Sequence, residues 1–117
     1  MAKTKKLRPV HPGEILREGF MIPLNLSMNR LALDLRVPVT RIAEIIHCRR
    51  RVTPETALRL ARYFDTTAMS WMNLQANYDL QIVEDKVQER ILREVSRATR
   101  LRAAVAQASH LPQRSRR

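Results

Sequence analysis

Residues 27–47 read SMNRLALDLRVPVTRIAEIIH, and the folding of this stretch decides the rest. Two short apolar-periodic segments are separated by only a few residues around positions 35–38. That joint is too tight for two independent helices and has the length of a helix-turn-helix. Ser27 is placed to cap the first helix with its hydroxyl. No capping box accompanies it, because the third residue on is Arg30 rather than Glu or Gln. Leu31, Ala32 and Leu35 face inward, with Ala32 small where the second helix crosses closely. The second helix is expected over 39–47. At ~100° per residue, Ile45 and Ile46 fall on either side of Ile42 and form its buried stripe. Its opposite face carries Thr40, Glu44 and His47, flanked by Arg41 and Ala43.

Outward from this pair the chain supplies support. Pro12 suits the first turn of a helix, where a missing N–H costs nothing. Ile15, Leu16, Phe20 and Met21 give that helix its apolar face, and Pro23 closes it. Thr53, Pro54 and Glu55 form an N-cap, first turn and dipole-matched acid, followed by Ala57, Leu58, Leu60, Ala61 and Phe64. A fifth helix is predicted from residue 68, capped by Thr67, with Trp71, Met72, Leu74 and Tyr78 as its large residues. A sixth is predicted over 84–110, where Val87, Ile91, Val95 and Ala98 recur at helical spacing and Leu101, Val105 and Ala108 extend a weaker stripe. Pro112 ends that pattern. No convincing period-2 strand occurs. The expected fold is all-α, five helices around one core plus an additional C-terminal helix. The expected organisation is a flexible basic arm at 1–10, a folded body at 11–84, and a basic helix and tail at 85–117.

Composition narrows the function. A chain of 117 residues with 44% apolar content and two glycines is one largely helical domain. No run is long enough to span a bilayer, and MAKTKKLRPVHPG has no signal-peptide apolar core. A cytoplasmic location is expected, nucleoid-associated when bound to DNA. The single cysteine, Cys48, excludes an internal disulfide framework and a Cys-based zinc site. Its basic neighbours would lower a thiol pKa, which leaves a redox role as a minor reading. His11, His47 and His110 lack metal-ligand spacing. Glu14 and Glu18 share a helix face without a partner acid, base or nucleophile, and read as solvating charges. No P-loop, G-x-S-x-G or H-E-x-x-H signature is present. No enzyme, cofactor or metal is expected.

The net charge is +11, and its placement carries more than its size. Lys3, Lys5, Lys6 and Arg8 make the first eight residues basic. Residues 9–85 balance nine basic against nine acidic groups, and residues 86–117 set nine basic groups against Glu89 and Glu94. A neutral body with two basic ends attracts polyanions through counterion release. In the major groove, Thr40 can donate, accept or pack on a thymine methyl, Arg41 can grip guanine, and Glu44 can accept from cytosine N4. Val39 offers an apolar contact at the entering end. Arg49, Arg50 and Arg51 follow the helix directly, placed for backbone phosphates that fix register without reading sequence, and His47 neighbours them.

The stretch from HPGEIL at residue 11, through TPETALRLAR at 53–62, to WMNLQANYDL at 71–80 resembles the HigA-type antitoxins. These form a branch of the phage-repressor-like (Xre/Cro) helix-turn-helix family, and the likeness covers about residues 8–84. It implies a repressor of its own promoter, bound to a palindromic double-stranded operator, that also neutralises a RelE-like toxin cleaving mRNA on the ribosome. By matching position it implies Pro38, Val39, Thr40, Arg41 and Glu44 at the bases. Ser27, Met28, Asn29, His47, Arg49, Arg50 and Arg51 would meet phosphates. A homodimer would form through the C-terminal helices, here Trp71, Leu74, Tyr78 and Leu80. A stand-alone repressor without a toxin is the alternative, and a general nucleic-acid-packaging protein a third. Three departures stand out: Arg36 and Cys48 occupy joints where the family usually has glycine, and residues 86–117 pass the usual family end.

Overall fold

In the computed structural model, residues 8–98 are described. All regular structure among them is helical. Helix α1 (Pro12–Ile15) runs directly into a π-helical segment (Leu16–Met21). Then come α2 (Met28–Leu35), α3 (Val39–Ile46), α4 (Pro54–Phe64) and α5 (Ala68–Glu94). The widened turn is visible in the bond from Ile22 N–H to Arg17 O (2.9 Å). Pro23 has no N–H with which to continue an α ladder to Gly19, and the chain is closed just past it at the left-handed Asn25, whose N–H bonds Ile22 O (3.0 Å) while Leu26 N–H bonds Met21 O (2.8 Å).

The chain divides into two compact units, Met1–Asp85 and Lys86–Arg117. Within the first, Leu16, Met21, Leu31, Ala32, Leu35, Ile42, Ile45, Ile46, Val52, Ala57, Leu60 and Trp71 form the core. Phe20 stacks against Phe64 and Trp71 with centroids 4.6 and 5.3 Å apart. The Ile42, Ile45 and Ile46 stripe is buried as its spacing requires. Helix α4 is tied to α2 by polar bonds at the rim: Tyr63 OH donates to Asp34 (2.6 Å), and Arg59 Nη1 to the Leu35 carbonyl (2.9 Å). The second bond satisfies an orphan carbonyl at the end of α2.

In the second unit, the described residues 86–94 are helical and 95–98 are not. The separate sixth helix expected from residue 84 is therefore not a distinct element, since α5 is one helix from Ala68 to Glu94. Between Leu80 and Lys86 there is no Gly or Pro to interrupt it. Val95 and Ala98 lie past its end, and residues 99–110 of the expected helix lie outside the described residues.

Candidate nucleic-acid interface

The helix-turn-helix is built from both of its ends. Ser27 Oγ accepts the Arg30 N–H at 3.0 Å and caps α2. At the other end Arg36 is left-handed (φ 63°, ψ 46°), and its N–H turns back to the Ala32 and Leu33 carbonyls. The Val37 N–H also reaches Ala32 O, at 3.1 Å. Pro38 is then the N-cap of α3 and offers no side-chain cap. At the far end His47 closes α3, and Cys48 takes the second left-handed position (φ 62°). Both non-glycine joints thus enter the region that costs a residue with a Cβ about 1 kcal/mol.

With its three isoleucines buried, α3 presents the opposite face to solvent. Pro38, Val39 and Thr40 are exposed there, while Arg41 and Glu44 are half-buried. Ser27, Asn29, His47, Arg49, Arg50 and Arg51 are all exposed around it. Met28 differs, because its side chain packs against the core and only its backbone is left for a phosphate. The three arginines differ from one another. Arg50 Nε donates to Glu44 Oε1 at 2.6 Å, and Arg51 Nη2 to Asp79 Oδ2 at 2.7 Å. Among the described residues Arg49 makes no ion pair.

Other expectations shift. Trp71 cannot serve a dimer surface as a side chain: it is 2% exposed in the core, and its indole N–H donates to Thr66 Oγ1 at 2.8 Å. Leu74, packed on the core, and Tyr78, edge-on to His11, are half-buried, and Leu80 is 59% exposed. The Cys48 thiol pKa is raised, first by burial and then by Glu14, with only Arg8 opposing. The adjacent arginines do not activate it. Glu14 is not a free solvating charge: Arg8 holds both its oxygens, at 2.9 and 3.0 Å, and that bond keeps its carboxyl below the usual range.

Three residues that hold the elements of the candidate interface lie inside the HPGEIL and WMNLQANYDL stretches but were given no role by the sequence. His11 is 3% exposed, and its Nδ1 accepts the Gly13 N–H at 2.8 Å as the cap of α1. Gly13 lies so close to α3 that a Cβ there would fall 1.9 Å from the Ile45 carbonyl oxygen. Gln75, also buried, accepts the Val52 N–H at 2.7 Å and donates to Asp79 at 3.0 Å. Gln75 and the Asp79–Arg51 pair fix the chain just past α3 onto α5. The signals were a histidine two residues before a glycine at a helix start, and a lone glutamine on an apolar helix face.

Among the described residues no cluster of three His, Cys, Asp or Glu could hold a metal ion. No helix among them is long and apolar enough to cross a membrane.

No family model matches the chain. Individual proteins do. It is 46% identical over 87 residues to the virulence-associated protein I of Dichelobacter nodosus, covering 74% of this chain and 81% of that protein. Among solved structures, the Pseudomonas aeruginosa antitoxin HigA with the higBA promoter is 38% identical, with a TM-score of 0.76. That match covers 78% of this chain and 99% of the other. An addiction-module antidote protein of the HigA family from Coxiella burnetii is 42% identical, with a TM-score of 0.75 over 78% of this chain and 99% of its own. Identities of 38% and 42% over 78% of the chain, with the same helical fold, place the chain among the HigA-type antitoxins of the helix-turn-helix regulators.

Proposed function

We propose that this chain is the antitoxin of a type II toxin–antitoxin module. It binds a palindrome in its own promoter as a repressor and neutralises a RelE-like mRNA-cleaving toxin. The observation that carries the DNA half is the outer face of α3. Pro38, Val39, Thr40, Arg41 and Glu44 stand opposite a fully buried isoleucine stripe, with Arg49 open beside them. The relative with this fold was solved with its promoter. In this reading α3 enters the major groove and those five residues meet base edges. Ser27, Asn29, His47 and Arg49, with the Met28 backbone, meet phosphates. The protein acts as a homodimer in which Leu80 supplies apolar contact, and it resides in the cytoplasm. The basic arm at 1–10 and the basic segment at 85–117 flank the 11–84 body and add sequence-independent affinity.

Footprinting on the chain's own promoter tests the DNA half: two protected half-sites about 34 Å apart, or a multiple of that, are expected of a dimer. Co-expression with the product of the adjacent gene tests the toxin half. The two proteins should purify together, with toxicity suppressed. Operator protection without such a partner leaves a stand-alone repressor, and protection without half-sites removes the dimeric reading.

A further inference from the structure

The left-handed turn at Cys48 does more than end α3. The Cys48 N–H bonds the Ile45 carbonyl at 3.0 Å and the Arg49 N–H bonds the Glu44 carbonyl at 2.7 Å. These are the paired bonds that reverse a chain over its own helix end. The reversal brings Arg50, six residues on, back to Glu44 on the outer face of α3, where Nε donates to Oε1 at 2.6 Å. The pair is partly open, with 46% of the Arg50 side chain and 42% of the Glu44 side chain exposed. Among the described residues neither side chain makes another hydrogen bond. Glu44 Oε2 and both terminal guanidinium nitrogens therefore remain available.

A carboxylate on a groove-entering face has an electrostatic problem. The groove walls are phosphates, and a lone Glu44 would be repelled by them. It would also be free to turn. Arg50 answers both difficulties: its guanidinium compensates the charge, and the charge-assisted bond from Nε–H to Oε1 restrains the turning of the carboxylate. An oriented acceptor of this kind suits a base that presents an exocyclic amino group in the major groove, which means cytosine N4 or adenine N6.

We infer that Glu44 and Arg50 form one base-reading unit, in which Arg50 is a positioning residue that compensates the charge of the Glu44 carboxylate and aims it at an amino-bearing base. The inference rests on the DNA-binding reading above. It departs from the simpler role of Arg50 as one more phosphate contact, and the two roles make different demands. A phosphate contact strengthens every sequence alike, works independently of Glu44, and is served nearly as well by lysine. A positioning residue affects discrimination, acts only when Glu44 is present, and requires the in-plane Nε–H donor, which lysine lacks.

The test measures affinity for the own-promoter duplex and for a scrambled duplex of equal length, over a range of salt. The proteins are the wild type, Glu44→Ala, Arg50→Ala, Arg50→Lys and the double alanine variant. Arg50→Ala is expected to lower the promoter-to-scrambled ratio about tenfold, as Glu44→Ala does, and the double variant to be no worse than either single one. Arg50→Lys should keep the scrambled-duplex affinity and the salt slope of the wild type while losing most of the ratio. Equal weakening of both duplexes by Arg50→Ala, unchanged in the Glu44→Ala background, overturns the inference and makes Arg50 a phosphate contact. A wild type with no promoter preference overturns the DNA-binding reading itself. Thermal unfolding of each variant guards the comparison, and an exposed pair of this kind adds little to folding.

Discussion

Gly13→Ala is the sharpest perturbation that the fold suggests. The added Cβ would sit 1.9 Å from the Ile45 carbonyl oxygen and 2.8 Å from its carbon. Both atoms are backbone, and that oxygen already accepts the Cys48 N–H at 3.0 Å. No side chain can turn aside. α1 must withdraw from the end of α3 by about 1 Å, since real contacts of this type stay above 3.0 Å. Overpacking typically costs 1–3 kcal/mol, and an unyielding neighbour puts this case near ~3 kcal/mol. For a domain of this size that lowers Tm by roughly 12 °C or more. Gly19→Ala is the matched control. Its nearest contact is Ile15 Cγ2 at 3.9 Å, so it should be neutral or stabilising by up to about 1 kcal/mol, as alanine is in helices. Thermal and urea unfolding of the two variants decide the matter. If Gly13→Ala unfolds within about 1 kcal/mol of wild type, α1 does not seat against the Ile45 end of α3 and does not position that helix.

Other outcomes follow from individual contacts. Burial lowers the His11 pKa from 6.5 against the opposing pull of Asp79 and Glu14, so in acid the unfolded chain takes up this proton before the folded one. Stability should therefore be intact above pH 6.5 and fall as pH drops below it, and His11→Asn, which retains a cap but cannot titrate there, should remove that part of the slope in urea titrations at several pH values. Glu14, held low by Arg8, adds its own loss only further down, below its ordinary value of 4.5. Cys48→Gly relieves the left-handed joint (φ 62°) and should stabilise by about 1 kcal/mol in thermal unfolding. Arg49→Ala should weaken promoter and scrambled duplexes alike and reduce the salt slope by about 0.9, whereas Arg51→Ala, whose residue is committed to Asp79, should change it less.

Much of the body was legible because its signals are local. Caps at Ser27 and Thr53, proline at the first turn of α4, and the isoleucine triplet each follow from a short window, and the helices begin where those residues stand. What escaped depends on contacts between distant residues or on backbone that side-chain pattern does not report. The apolar spacing at 87, 91, 95 and 98 suggested a new helix, but spacing alone cannot show where one helix ends and the next begins, and α5 runs through. Trp71 read as a surface residue because a large aromatic on the last helix serves a core or a partner equally well, and only the packing of Phe20 against it decides. Arg49, Arg50 and Arg51 read as one cluster. The turn at Cys48 and the acids Glu44 and Asp79 separate them into three environments. The need for glycine at position 13 lies in α3, more than thirty residues away in sequence.

Whether the outer face of α3 reads a specific operator is decided by competition between the own-promoter duplex and a scrambled duplex at about 0.15 M salt. Promoter binding should be tighter by about a thousandfold or more, with Thr40→Ala combined with Glu44→Ala collapsing that ratio while scrambled-duplex affinity stays nearly unchanged. Equal affinity for the two duplexes in the wild-type protein would contradict it.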